Sequence, residues 1–223
     1  MPARSRRTRA ARPALTRDRV VDAALALVDA RGLEALSMRS LGRALGVEAM
    51  SLYQYFPSKA ELLRGIADRL TADAVLPSGP KGSWREDLVA VGRAVWRVME
   101  AHPRAVPVLV VSPLDTPANW VLSETVLRLF ARAGYEPAEA HQLFRICQAF
   151  AFGAALMLQA RPPKERVRKQ LEAVGEAVEF PLLAAALASA DEFDPEADFE
   201  HGLGLLLDGV ELTRRRSRRA KKV

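Results

Sequence analysis

The chain of 223 residues is poor in several things, and each scarcity excludes a class of protein. It has one cysteine, Cys147, so neither an internal disulfide framework nor a cysteine-rich zinc module can be built. Three histidines are too few for a His-rich metal site. Aromatic residues make up only 6%. No apolar run approaches the roughly 18 uninterrupted residues of a membrane-spanning helix. The Arg-rich start MPARSRRTRAARPAL lacks the apolar stretch of a secretory signal, so a soluble cytoplasmic protein is expected. Alternating β-branched runs, the mark of strands, are nearly missing. Chemistry-bearing patterns are missing too. There is no Ser-His-Asp arrangement, no phosphate-cradling glycine loop and no cluster of metal ligands. Cys147 lies in a very apolar segment, where a thiol is usually inert. An enzyme is not expected, and neither a metal nor a cofactor is called for.

What is present is apolar content of 49%, enough for a real core, and 27% charge. The net charge of +6 is unevenly placed. Residues 1–12 and 211–223 together carry twelve basic residues and one acid. That leaves 21 basic and 26 acidic residues for 13–210, a mildly acidic body between two basic ends.

Apolar residues recur at three and four along almost all of the chain after residue 15, so the fold class is all-α. A first helix starts near Thr16, carries Val20, Ala24, Leu27 and Val28 on one face, and stops at Gly32. A second starts at Ser37, an N-cap, with Met38, Leu41 and Leu45 on one face. Gly46 interrupts it, and Gly42 and Ala44 are small where crossing helices would approach. A very short third runs from about Glu48 to Tyr55. Ser58-Lys59-Ala60-Glu61 is a capping box that opens a fourth, with Leu62, Leu63, Ile66 and Leu70 inside. The turn-rich PSGPKGS at 77–83 marks a domain boundary. Beyond it, helices are expected over about 84–101, 104–111, 117–133, 137–160, 165–189 and 196–213. The 137–160 helix is apolar on nearly every side, so it is expected to be buried all round.

Residues 37–56 carry the function. Two short helices meet at Leu45-Gly46-Val47, and the second is too short to be stable alone. A short helix held by its neighbours suits insertion into the DNA major groove, as helix-turn-helix modules do. Met50, Ser51, Gln54 and Tyr55 are expected outward, opposite Leu52 and Phe56. Gln can pair bidentately with adenine. Tyr53, Tyr55 and Lys59 are good phosphate donors, and Arg39 can reach a phosphate or a guanine edge.

Residues 15–70 resemble the N-terminal domain of the tetracycline-repressor (TetR) family of transcriptional regulators. The resemblance rests on VVDAALALVDARGLEALSMRSLGRALGV followed by SLYQYFPSKAELL. The family pattern Leu-Tyr-x-(His/Tyr)-Phe-x-(Ser/Thr)-Lys is met at every fixed position by Leu52 to Lys59. Gly42 stands where Ala is usual, which would loosen its helix by up to about 1 kcal/mol. The resemblance implies a three-helix helix-turn-helix bundle over 15–76 and a larger helical ligand-binding and dimerisation domain over 84–213. About nine to ten helices result, with a basic disordered arm at 1–14 and a basic tail at 214–223. It implies phosphate clamps at Tyr53 and Lys59, DNA contact from Arg39, and Met50, Ser51, Gln54 and Tyr55 at or near base edges. The partners implied are a palindromic double-stranded operator, a second copy of the chain and a small effector that releases the DNA. A DNA-binding regulator without an effector is the alternative.

The segment FEHGLGLLLDGVE resembles the last helix of the tetracycline-repressor subclass, which with the helix near 137–160 forms a four-helix dimer interface. Its glycines Gly202, Gly204 and Gly209 suggest close backbone packing. Candidate effector contacts are Trp96, Met99, His102, Trp120, Phe144, Gln148, Phe152 and Met157, with Arg145 nearby. Counting from Ser83-Trp84, the subclass's drug-holding Asn falls at Val91 and its magnesium-binding His at Leu109. Neither side chain can anchor a magnesium–drug chelate, so a different, more apolar, metal-free effector is expected.

Overall fold

A computed structural model of the chain describes residues 14–79, 81–112, 115–159, 165, 166, 169, 180–188 and 194–220. Among them there are ten α-helices and no strand. None is long and apolar enough to cross a membrane.

Four helices form the first bundle: α1 (Arg17–Arg31), α2 (Met38–Leu45), α3 (Ala49–Leu52) and α4 (Lys59–Ala72). Local chemistry sets their ends. The Thr16 hydroxyl accepts the Arg19 N–H and starts α1. Ser37 and Ser40 cap α2 reciprocally. Gly46 ends α2 at φ 68, ψ 35, a left-handed conformation that other residues adopt only at a cost. At the start of α4 only half of the expected capping box forms. Ser58 accepts the Glu61 N–H at 3.1 Å, while the Glu61 carboxylate turns to Arg64 at 3.0 Å. Val20, Leu41, Leu52, Phe56, Leu62 and Ile66, all fully buried, fill the space between the helices. Gly42 lies under the turn. A Cβ there would stand 2.9 Å from the Val47 carbonyl oxygen, so α2 and the start of α3 nearly touch. Ala44, expected at that approach, is exposed instead.

The second bundle comprises α5 (Trp84–Ala101), α6 (Val106–Val111), α7 (Pro117–Arg132), α8 (Pro137–Gln159), α9 (Pro181–Ala188) and α10 (Pro195–Ala220). A 3-10 turn at Pro103–Ala105 joins α5 to α6. Most of the helix expected at 165–189 lies outside the described residues. Ser83 and Glu86 cap α5 reciprocally. The next residue, Asp87, is 5% exposed. It accepts the Lys81 and Gly82 N–H groups at 2.9 and 3.2 Å and pairs with Arg132 at 2.6 Å. It thereby ties the linker and α7 to α5.

Two expectations fail here. The apolar α8 is not buried all round. Only Ala140 and Ala155 are fully covered, and Ile146 and Met157 are 48% and 78% exposed. One chain does not supply enough neighbours to cover it. The last helix does not stop at 213 but runs to Ala220. Arg214, placed in the basic tail, is a structural residue. It donates to the Gly134 carbonyl at 3.0 Å and lies 4.7 Å over the Tyr135 ring. Of the three α10 glycines, Gly202 alone has a tight neighbour: its Cβ would meet the Phe150 ring at 2.6 Å. A Cβ built on Gly209 would meet no atom of another element within 4 Å among the described residues.

The Asp87 carboxyl is held below the ordinary carboxylate value, chiefly by the hydrogen bond from Arg132 and then by the Lys81 amide. A lowered folded value stabilises the fold above the unfolded value of about 3.9, and that contribution fades as pH falls through the lowered one. The urea midpoint of Asp87→Asn should therefore lie below that of the parent at neutral pH, and the gap should close below about pH 4. A gap of constant size across that range would contradict this account.

Candidate nucleic-acid interface and buried cavity

The turn of helix at α3 exists because its neighbours hold it. Leu52 and Phe56 are fully buried beneath it. Around them, Met50 is 72% and Tyr53 41% exposed. Gln54, Arg39 and Lys59 are exposed, and Ser51 is half-buried. These six residues lie on α2, on α3 and the turn after it, and at the start of α4.

Tyr55 does not join them. Its ring is half-buried against the core and its hydroxyl donates to the Leu15 carbonyl at 2.9 Å. The expectation of a base-edge or phosphate contact from Tyr55 is corrected accordingly. The helix ends at Leu52, so Tyr55 leaves the helical register and turns inward. Arg17, not foreseen from sequence, completes this corner. It donates to the Tyr55 carbonyl at 2.6 Å, and its guanidinium lies 4.1 Å from the Phe56 ring centroid. Nothing in the local sequence marks a residue 38 positions away as that partner.

A cavity of about 90 Å³ lies between α4, α5, α6, α7, α8 and α10. Four of the expected residues line it: Met99, Phe144, Gln148 and Phe152. The other four do not. Trp96 is buried and stacked on Phe199 with centroids 4.7 Å apart. Trp120 and Met157 are 59% and 78% exposed, and Arg145 also faces outward. His102 Nδ1 is bonded to Asp29 Oδ2 at 2.8 Å, which ties α5 to α1. Arg104 reinforces that tie by donating to the Asp29 and Ala30 carbonyls at 3.2 and 2.6 Å.

Sequence reasoning missed Asn119 and Thr71, which are polar groups in the cavity wall. Asn119 was detectable, because it falls on the apolar face of α7 with Leu122, Val126 and Phe130. It is 6% exposed. Among the described residues no charged side chain lines the cavity. Val91 and Leu109 do line it, so the two positions aligned with the drug-holding Asn and the magnesium-binding His face the same space and are apolar. Among the described residues no group of three or more His, Cys, Asp or Glu could hold a metal. Cys147 also borders the cavity, and burial pushes its thiol up to about 11, which keeps it protonated at neutral pH. Leu70 and Thr71 place α4, the helix that follows α3 and its turn, in the cavity wall.

Residues 20–66 match the family described as bacterial regulatory proteins, tetR family. Residues 76–214 match the tetracyclin repressor-like C-terminal domain. The chain is 34% identical over 219 residues to the HTH-type transcriptional repressor DrrR1 of Streptomyces coeruleorubidus, covering 93% of this chain and 81% of that protein. It is 30% identical to the class A tetracycline repressor protein of Escherichia coli, over 86% of this chain and 88% of that one. The crystal structure of ActR from Streptomyces coelicolor in complex with actinorhodin matches with a TM-score of 0.78 at 26% identity. That match covers 90% of this chain and 98% of that one.

Two kinds of tyrosine variant separate the roles at the corner. Tyr53→Ala and Lys59→Ala should each weaken operator binding by about tenfold or more in a mobility-shift assay, with unchanged circular dichroism. Tyr55→Phe should instead lower stability by about 1 kcal/mol, because the bond to Leu15 is gone, and leave sequence preference alone. Unchanged DNA affinity in both Tyr53→Ala and Lys59→Ala would refute the assigned face.

Proposed function

This chain belongs to the tetR family of bacterial regulatory proteins, and from that premise we propose how its residues divide the work of an effector-controlled repressor. The protein is a DNA-binding transcriptional regulator, not an enzyme, and acts in the cytoplasm. It binds its operator as a dimer and releases it when a small molecule enters the second bundle.

Met50, Ser51 and Gln54 read base edges in the major groove, with Arg39 at a base edge or a phosphate. Tyr53 and Lys59 bind phosphates and set the register. The exposure of all of them but Ser51, which is half-buried, supports this division. The Arg-rich residues 4–12 lie outside the described residues. Leu15, three residues beyond Arg12, is pinned to Tyr55, so the arm joins the bundle beside the recognition turn. There it adds salt-dependent affinity through the minor groove. Dimerisation covers the open sides of α8 and α10, where Ile146, Met157, Leu205 and Leu212 stand 48–78% exposed. Two-fold symmetry then makes the operator a palindrome.

The observation that carries the sensor reading is the cavity shared between α4 and the second bundle. A ligand there touches the helix that leaves the recognition turn. Its lining, uncharged and apolar with the amides of Asn119 and Gln148, selects an uncharged, largely apolar molecule with a few hydrogen-bonding groups. The volume of about 90 Å³ is well below the roughly 300–1,000 Å³ of ligand clefts, so entry must push the walls apart. The similarity to ActR, whose structure is of a complex with actinorhodin, supports an effector in this chain too.

The test is a mobility-shift assay on DNA flanking the protein's own gene, followed by screening of apolar aromatic compounds for release. Saturating tetracycline with magnesium should leave the complex intact, because Val91 and Leu109 offer no anchors. Release by that pair would overturn the metal-free reading. Deleting residues 1–12 should weaken binding and flatten its salt slope by about one unit for each phosphate no longer neutralised. An unchanged slope would remove the arm from the interface.

A further inference from the structure

Two side chains of α4, one helical turn apart, hold the entry to α7. Arg64 pairs with the Asp115 carboxylate at 3.1 Å and reaches its carbonyl at 3.5 Å. Asp68 accepts the Ala118 N–H at 2.9 Å. α7 begins with Pro117, which has no N–H, and its own N-cap, Thr116, makes no side-chain cap bond. The Ala118 donor of the first turn is therefore capped by a carboxylate from another helix in the other bundle. That carboxylate also meets the positive end of the α7 dipole.

The residue after the capped amide is Asn119, which lines the cavity, with Leu122 and Val126 following on the same face. On the other side of the bond, α4 runs back from Asp68 through Arg64 to Lys59 and the recognition turn. The second tie between the bundles, His102–Asp29 with Arg104, ends on residues that do not line the cavity.

We propose that Asp68 is a positioning residue that couples the effector cavity to the DNA-reading turn by holding the first turn of α7 against α4. It touches neither ligand nor DNA. A ligand that displaces Asn119 moves the start of α7. Asp68, with Arg64 beside it, makes α4 follow, and the recognition turn moves with α4. Without the bond, α7 moves and α4 stays.

The proposal rests on the repressor reading, and the test separates the two. Coupling is reciprocal, so operator DNA must alter the cavity as the effector alters DNA affinity. Cys147 is the single thiol and borders the cavity, so its alkylation by iodoacetamide reads the state of the cavity in the full chain. Saturating operator duplex should change the parent's alkylation rate by about threefold or more, and by under about 1.5-fold in Asp68→Ala. Operator affinity of Asp68→Ala should stay within about threefold of the parent. Asp68→Asn, which keeps an acceptor oxygen, should retain most of the parent response.

An undiminished response in Asp68→Ala overturns the proposal. So does an equal loss in Arg104→Ala, which loosens the other tie. A parent that binds operator without any change at Cys147 overturns the coupling and leaves the DNA-binding reading standing. A parent that binds no such DNA overturns both. If Asp68→Ala does not fold, Asp115→Asn removes the neighbouring pair. Its response should fall to about half, and an unchanged one again overturns the proposal.

Discussion

A recognition helix of one turn cannot hold itself, and the rest of this structure follows from that constraint. Four residues from Ala49 to Leu52 form too few hydrogen bonds to offset the entropy of ordering them. The turn persists because Leu52 and Phe56 are buried under it and its exit is clamped from α1. Arg17 grips the Tyr55 carbonyl and covers the Phe56 ring, while Tyr55 grips Leu15 in return. The side chains that remain outside are those not needed for this anchoring. Exposure and anchoring are thus assigned to different residues of one short segment.

The same economy governs the second bundle. Its cavity is bounded in part by α4 of the first bundle and by α7, which α4 holds, so one wall is shared between the bundles. α4 contributes Leu70 and Thr71 to the cavity, and Lys59 at its start is exposed. Polar ties between the bundles among the described residues include Asp68 to Ala118, Arg64 to Asp115, and His102 and Arg104 to the end of α1. Such polar contacts have definite partners and break over short distances, unlike apolar contacts, which slide. An apolar cavity read through polar ties suits a switch between two arrangements.

Charge separates along the same line. The neutral first bundle, with eight basic and eight acidic residues over 13–75, presents its cations where they are exposed rather than by excess. The basic end of the chain is not uniform either, since Arg214 is bound to Gly134 and Tyr135 within an extended α10.

Much was legible in sequence. Apolar spacing gave the helices, and Ser37, Gly46 and Ser58 gave their ends, because caps and left-handed turns are local chemistry. The motif from Leu52 to Lys59 marked the family, and Val91 and Leu109, counted from Ser83-Trp84, do line one cavity. Half of the expected cavity residues were misplaced. A large apolar side chain on an amphipathic helix does not reveal whether it faces core, cavity or solvent, as Trp96, Met99 and Trp120 show. Tyr55 turned inward because a helix ending three residues earlier changes every later direction. The sequence by itself determined the helices and most of their ends, since these depend on neighbours along the chain. Only the tertiary structure decided which residues meet across 38 or 50 positions, as Arg17 does Tyr55 and Asp68 does Ala118. Those pairings are set by how whole helices pack, and no local spacing encodes them.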